Sequence, residues 1–199
     1  MTIYALSSGP GTSGIAVIRI SGKEVKSVIK TLTGKSVPKP RKASLRKIKK
    51  INTSELIDEG IIIWFPGPES YTGEDMAEIQ VHGSKAVIDA LHFSISQIEN
   101  CRLAEPGEFT KLAFQNGKIN LLKAESIADL ISAETEIQRQ QAIKIMDGKS
   151  ADQFNFLREN TCNTHFFILS LKTFQHLICY NHLSFSYTIF ICLNKCIHI

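Results

Sequence analysis

The 199 residues are enough for one complete domain and part of a second. A hydrophobic fraction of 43% and a charged fraction of 21% are ordinary for a soluble globular protein, and the net charge of +4 permits a polyanionic partner without demanding one. The start, Met1-Thr2-Ile3-Tyr4-Ala5-Leu6, lacks the basic n-region of a signal peptide and the Arg- and Ser-rich character of a transit peptide, and no segment offers the roughly 18 apolar residues of a membrane span, so the expected compartment is a reducing cytoplasm.

Ile3–Ser8 and Ile15–Ser21 read as two short apolar strands joined by a Gly-Pro-Gly turn. Lys23–Leu32 reads as a helix, because Val25, Val28, Ile29 and Leu32 recur at helical spacing. Pro38 and Pro40 break the chain. Ile57–Phe65 is a strand ended by Pro66-Gly67-Pro68, and Asp75–His82 is another. Lys85–Ile98 fits a helix that buries Val87, Ile88, Leu91, Ile95 and Ile98. Pro106 opens a short helix to about Asn116, with Gly117 as its C′ stop. From Leu121 the pattern is wholly helical, through Ile127, Leu130, Ile131, Ile137 and Ile145. The alternation up to Lys118 predicts an α+β domain, a mixed β-sheet with packed helices, followed by the start of a helical domain over 119–159.

Three glycine-bearing motifs invite a nucleotide reading and fail it. Gly9-Pro10-Gly11-Thr12-Ser13-Gly14 matches G-x-G-x-x-G, but it leads into the strand-like Ile15-Ala16-Val17-Ile18 where the dinucleotide fingerprint needs a helix N-terminus. A tight turn is the better reading. Gly34-Lys35-Ser36 and Gly148-Lys149-Ser150 would need a glycine five positions earlier to form a P-loop, and those positions are Ile29 and Ile143. No nucleoside triphosphate site is visible in the sequence.

Side chains alternate faces along a strand. In Asp75–His82, Ala77, Ile79 and Val81 make a plain core face, while Met76, Glu78, Gln80 and His82 make a polar row on the other. Arg19 likewise shares a face with Val17 and Ser21, opposite Ala16, Ile18 and Ile20. One reading is an Arg–Glu pair on a solvated sheet face. The other is the polar floor of a pocket, because a carboxylate can accept from adjacent N–H donors of a ligand, and Arg or Lys can clamp a ligand's carboxylates. Lys118, after Asn116-Gly117, is either a cation favourable to a helix C-terminus or a third ligand-facing charge.

A basic run, Lys39, Arg41, Lys42, Arg46, Lys47, Lys49 and Lys50, could touch nucleic-acid phosphates, but with no aromatics interleaved for stacking a solvated, lysine-biased strand or loop is the expectation. Thr161–Ile199 contains no Gly, Pro, Ala, Val, Asp or Glu, so the tail over 160–199 reads as an out-of-frame or degraded gene end, or as disordered. Cys162-x-x-His165, His176-x-x-Cys179 and Cys192-x-x-x-Cys196 use zinc-ligand residue types at zinc-ligand spacings, yet nothing around them supports a folded knuckle, and no metal is expected.

Several ordered stretches resemble the N-terminal part of the tRNA uridine-5-carboxymethylaminomethyl modification GTPases, the MnmE or TrmE family. They are Gly14–Gly22, Asp58-Glu59-Gly60, Trp64–Asp75, Glu78–Gly83, Pro106–Thr110, Asn116-Gly117-Lys118 and Lys123–Ile131. The resemblance runs from residue 2 to about Glu159. It implies an N-terminal domain, 1–118, that binds a 5-formyl- or 5,10-methylene-tetrahydrofolate and forms a homodimer. It also implies a helical domain carrying an inserted GTPase, and an FAD-dependent partner enzyme with which the family modifies the wobble uridine of tRNA. By motif position the family's folate contacts fall on Arg19, Glu78 and Lys118.

Two departures stand out. Glu105 replaces the family's arginine before Pro-Gly-Glu-Phe, and Val81-His82-Gly83-Ser84 stands where the family usually has Gly-His-Gly-Gly. The P-loop, switch regions and C-terminal cysteine motif of the family are missing, so the chain is not expected to hydrolyse GTP. Competing readings are a ligand-free dimerisation scaffold or decayed gene product, and a free-standing one-carbon transferase with His82 as its acid or base.

Overall fold

The computed structural model describes residues 1–9, 11–148, 156 and 160. The unusual tail, with its cysteine and histidine pairs, therefore lies outside the described residues apart from Asn160. The chain divides into two compact units, 1–143 and 144–199, and the sheet and the candidate site belong to the first.

A six-stranded mixed sheet carries the fold. In chain order its strands are β1 (Thr2–Leu6), β2 (Ser13–Ser21), β3 (Ser44–Lys49), β4 (Leu56–Phe65), β5 (Met76–Gly83) and β6 (Cys101–Leu103), arranged β3-β4-β5-β2-β1-β6. Every neighbouring pair is antiparallel except β1 and β6. The α+β expectation holds. The helices are α1 (Val25–Thr33), α2 (Lys85–Ser96), α3 (Glu108–Gln115), α4 (Leu121–Ser132) and α5 (Glu136–Met146). None among the described residues is long and apolar enough to cross a membrane.

The core lies on one face of the sheet. Ile18 and Ile20 of β2, Ile79 of β5, Ile62 of β4 and Ile48 of β3 are fully buried. So are Val28 and Leu32 of α1 and Leu91 and Ile95 of α2, which belong to the same cluster. Burying each such side chain contributes roughly 1.5–3 kcal/mol. That face is the one the sequence alternation assigns to Ala16-Ile18-Ile20 and Ala77-Ile79-Val81.

Sequence and structure differ at the strands of weakest pattern. β2 begins two residues before Ile15, with an irregularity in register between Ser13 and Ala16. β3 forms in the basic run because Ile48 reaches the core while its lysine neighbours stay in water. β6 was not expected: three residues give no periodicity, and the strand exists through its parallel pairing with β1.

Several local devices fix the elements. Ser84 is the N-cap of α2, its Oγ accepting from the Val87 N–H at 3.3 Å with φ −84°, so this position does not require a glycine. Gly60 has no room for a side chain; a Cβ there would sit 2.3 Å from the carbonyl oxygen of Gln80. Glu105 makes no ion pair among the described residues. Its N–H donates to Glu108 Oε2, and Arg102 pairs with Glu108.

Candidate functional site

The polar row lies on the sheet face opposite the core, and antiparallel register lines it up. Ala5, Arg19, Glu78 and Ile63 stand side by side on β1, β2, β5 and β4. Residues directly opposite in antiparallel strands project to the same side, so Arg19 and Glu78 must meet. Arg19 Nη2 lies 2.8 Å, and Nε 3.1 Å, from Glu78 Oε1. Both donors converge on one oxygen. Glu78 Oε2 has no protein partner among the described residues.

Two aromatic rings border the guanidinium. Its Cζ is 5.7 Å from the centroid of the Tyr71 ring and 5.9 Å from that of Phe109, within cation–π range. Tyr71 belongs to the loop between β4 and β5, and Phe109 to the first turn of α3. The Tyr71 hydroxyl lies 3.1 Å from Thr110 Oγ1, which ties loop to helix. The arginine side chain keeps 30% of its surface exposed and the glutamate 18%, so the pair is reachable from solvent.

The loop itself is anchored in the sheet. Thr72 is fully buried, its hydroxyl 2.7 Å from that of Ser21, on the same face as Arg19. Ser70 Oγ donates to the Glu74 carbonyl, and the Gly67 N–H donates to Asp75 Oδ1 at 2.9 Å. Asp75 in turn holds Lys26 of α1 at 3.0 Å.

Lys118 reaches the same loop from another direction. α3 ends in a Schellman motif: Gly117 is left-handed at φ +66°, its N–H donates to the Phe114 carbonyl at 3.0 Å, and the Lys118 N–H donates to the Ala113 carbonyl at 2.8 Å. Gly117 thus acts as the expected C′ stop. Asn116 Nδ2 then donates to the Thr72 carbonyl at 2.7 Å. A Cβ on Gly73 would lie 3.3 Å from Lys118 Cε, so the lysine stem runs alongside Thr72-Gly73. Lys118 makes no hydrogen bond or ion pair with Arg19 or Glu78 among the described residues. Arg19 and Glu78 are brought together; Lys118 is joined to them through the Tyr71–Gly73 loop.

His82 is separate. Four residues along β5 from Glu78 is about 13 Å. Its Nδ1 lies 2.9 and 3.0 Å from the two Asp58 carboxylate oxygens, and its backbone N–H donates to Asp58 Oδ2 at 2.8 Å. Burial pushes the Asp58 carboxyl up, but these hydrogen bonds and one from the Glu59 N–H outweigh it, and the pKa is lowered.

Tyr71, Phe109 and Asp58 were not singled out from the sequence. All three lie in stretches that carry the resemblance, but a loop and a helix start have no periodicity from which side-chain direction can be read. The one available signal was an aromatic beside a run of turn residues in each case, Ser70-Tyr71-Thr72-Gly73 and Pro106-Gly107-Glu108-Phe109.

Chemically, the arrangement offers one free carboxylate oxygen, a guanidinium bracketed by rings, and an exposed ammonium. A flat heterocycle with N–H donors and an anionic tail suits this donor and acceptor set, so the residues present fit a reduced folate.

A family model described as the GTP-binding protein TrmE N-terminus matches residues 2–118. The tRNA modification GTPase MnmE of Pelagibacter ubique (strain HTCC1062) is 82% identical over 159 residues, which is 80% of this chain and 36% of that protein. The MnmE proteins of Parvibaculum lavamentivorans and Brucella anthropi are 47% and 46% identical, over 74% and 84% of this chain and 34% and 37% of their own lengths. The chain spans about a third of the length of these curated relatives.

Proposed function

We propose, from the premise that this chain belongs to the TrmE N-terminal family, that residues 1–118 form a tetrahydrofolate-binding, homodimerising module of a tRNA wobble-uridine modification GTPase. Glu78 Oε2 accepts from N–H donors of the pterin. Arg19, held in place by Glu78 Oε1 and the rings of Tyr71 and Phe109, takes a carbonyl or anionic group. Lys118 holds a carboxylate of the glutamate tail. The folate, as its 5-formyl or 5,10-methylene form, supplies a one-carbon unit when bound. Residues 119–159 begin a helical domain, and the FAD-dependent partner enzyme and tRNA belong to the whole assembly, in the cytoplasm.

The observation that carries this reading is the asymmetry of the Arg19–Glu78 contact. Arg–carboxylate pairs are frequently bidentate, using both carboxylate oxygens against the guanidinium fork; here both donors meet Oε1, and Oε2 is left to accept from a ligand. GTP hydrolysis is not assigned to these residues, since neither Gly-Lys-Ser triplet is a P-loop. Support for dimerisation comes from the exposed apolar side chains Ile15 and Leu45 on β2 and β3, at 63% and 65% exposure.

A second reading, a dimerisation scaffold without ligand, is favoured by the fact that Arg19 and Glu78 already satisfy each other in part. Isothermal titration with 5-formyltetrahydrofolate separates the two. The folate reading expects saturable heat from a folded dimer; a folded dimer giving none overturns it.

A further inference from the structure

Asn116 ends α3, yet its side chain serves another element. The helix end is closed by backbone bonds alone: the Asn116 N–H donates to the Leu112 carbonyl at 2.9 Å, and the Gly117 and Lys118 N–H groups complete the turn behind it. The side-chain amide is left over. Its Nδ2 donates to the Thr72 carbonyl at 2.7 Å, a residue 44 positions earlier in the chain.

The loop that receives this bond has other fastenings. The Thr72 hydroxyl is 2.7 Å from that of Ser21 in a buried contact. The Tyr71 hydroxyl is 3.1 Å from Thr110 Oγ1, and Ser70 Oγ donates to the Glu74 carbonyl. Removing the Asn116 amide therefore leaves Tyr71 and Thr72 anchored, and leaves Arg19 with Glu78 and its neighbouring rings.

What the amide controls is the approach of Lys118. A Cβ on Gly73 would come within 3.3 Å of both Asn116 Cβ and Lys118 Cε, and within 3.5 Å of Lys118 Cγ. The bare backbone at Gly73 lets Asn116 and the lysine stem lie against the loop together. The stem is held along its length, while the ammonium has no hydrogen-bond or ion-pair partner among the described residues. A lysine loses rotamer freedom when it grips an anion, and a stem fixed beforehand has already lost part of it.

We propose that Asn116 is a positioning residue for the folate tail. Its bond to Thr72 sets the Lys118 ammonium relative to the Arg19–Glu78 pair, so the site favours a pterin carrying a carboxylate tail over the pterin alone. The proposal rests on the folate reading above. Asn116 touches no ligand; it acts through Lys118.

The test is isothermal titration of the full 199-residue chain with two probes. One is 5-formyltetrahydrofolate; the other is 5-formyltetrahydropterin, which lacks the aminobenzoyl-glutamate tail. Asn116→Ala is expected to bind the folate about five- to tenfold more weakly and the pterin within about twofold of the parent. Lys118→Ala is expected to show the same selectivity. Asn116→Ala/Lys118→Ala is expected to be no weaker than Lys118→Ala, because the two changes remove one interaction. Circular dichroism melts verify folding, and Asn116→Ser, too short to reach Thr72, takes the place of an alanine variant that does not fold.

Equal weakening toward both probes, additive losses in the double variant, or unchanged folate affinity in Asn116→Ala each overturns the proposal and leaves the folate reading standing. Where the pterin binds too weakly to titrate, the comparison of single and double variants on the folate decides alone. Unchanged folate affinity in Lys118→Ala removes the tail contact and this proposal with it. Absence of folate binding by the folded parent overturns both readings.

Discussion

Arg19 and Glu78 face each other across β2 and β5, and the guanidinium Nε and Nη2 both contact the same carboxylate oxygen, Oε1, at 3.1 and 2.8 Å. With 30% and 18% of their side-chain surface exposed, such a pair contributes on the order of 0–1 kcal/mol to stability. Little fold stability is therefore at stake when either residue is changed, which lets ligand binding be tested apart from folding.

Replacing Glu78 by Gln keeps the shape and removes the charge. The melting temperature is expected to shift by only a few degrees, because about 1 kcal/mol or less is lost. Affinity for 5-formyltetrahydrofolate is expected to fall at least about tenfold, the equivalent of one charge-assisted hydrogen bond. Thermal melting and isothermal titration on the same sample check both halves.

The Arg19 guanidinium lies over the rings of Phe109 and Tyr71, at 5.9 and 5.7 Å from their centroids. Phe109→Leu retains apolar bulk but removes the ring's negative face, and a partly exposed cation–π contact is worth about 0.5–1 kcal/mol. Folate affinity is expected to drop about two- to fivefold with the fold intact, as read by titration and circular dichroism.

Gly60 tests the packing of β4 on β5. A Cβ there would lie 2.3 Å from the Gln80 carbonyl oxygen, a backbone atom that cannot swing aside. Gly60→Ala is expected to cost about 1–3 kcal/mol, as overpacking does. Gly117→Ala meets no atom within 4 Å, yet it strains the left-handed residue that sets Lys118 and costs about 1 kcal/mol or more. Denaturant unfolding of both variants measures these values.

Much of this was legible in the sequence, and the reason is periodicity. Ala77-Ile79-Val81 and Ala16-Ile18-Ile20 announce a buried face by strict alternation, and that alternation also exposes Glu78 and Arg19 as polar residues on the opposite side. What alternation does not give is register. The pairing of residue 19 with 78, and not with 76 or 80, follows from how β2 and β5 align over the whole sheet. Tyr71 and Phe109 were invisible for a related reason: a loop anchored by the Ser21–Thr72 hydroxyl contact takes its direction from tertiary bonds.

The Asp58–His82 pair predicts a pH dependence. Asp58 has a lowered carboxyl pKa in the folded protein, so the folded state binds its proton less readily than the unfolded chain. The stabilisation is complete above the ordinary aspartate value of 3.8 and is lost as pH falls through the lower folded value. Asp58→Asn is expected to lower the melting temperature at pH 7, and the gap to the parent is expected to close below about pH 4. Melts between pH 7 and pH 2 measure that convergence.

The most direct measurement of the folate site is a crystal structure of the chain grown with 5-formyltetrahydrofolate. The expected density places pterin N–H groups within hydrogen-bond distance of Glu78 Oε2, with Arg19 and Lys118 on carbonyl or carboxylate oxygens of the same molecule. Well-ordered folate bound elsewhere on the chain, with the Arg19–Glu78 pair unchanged and solvent alone above it, would contradict the assignment.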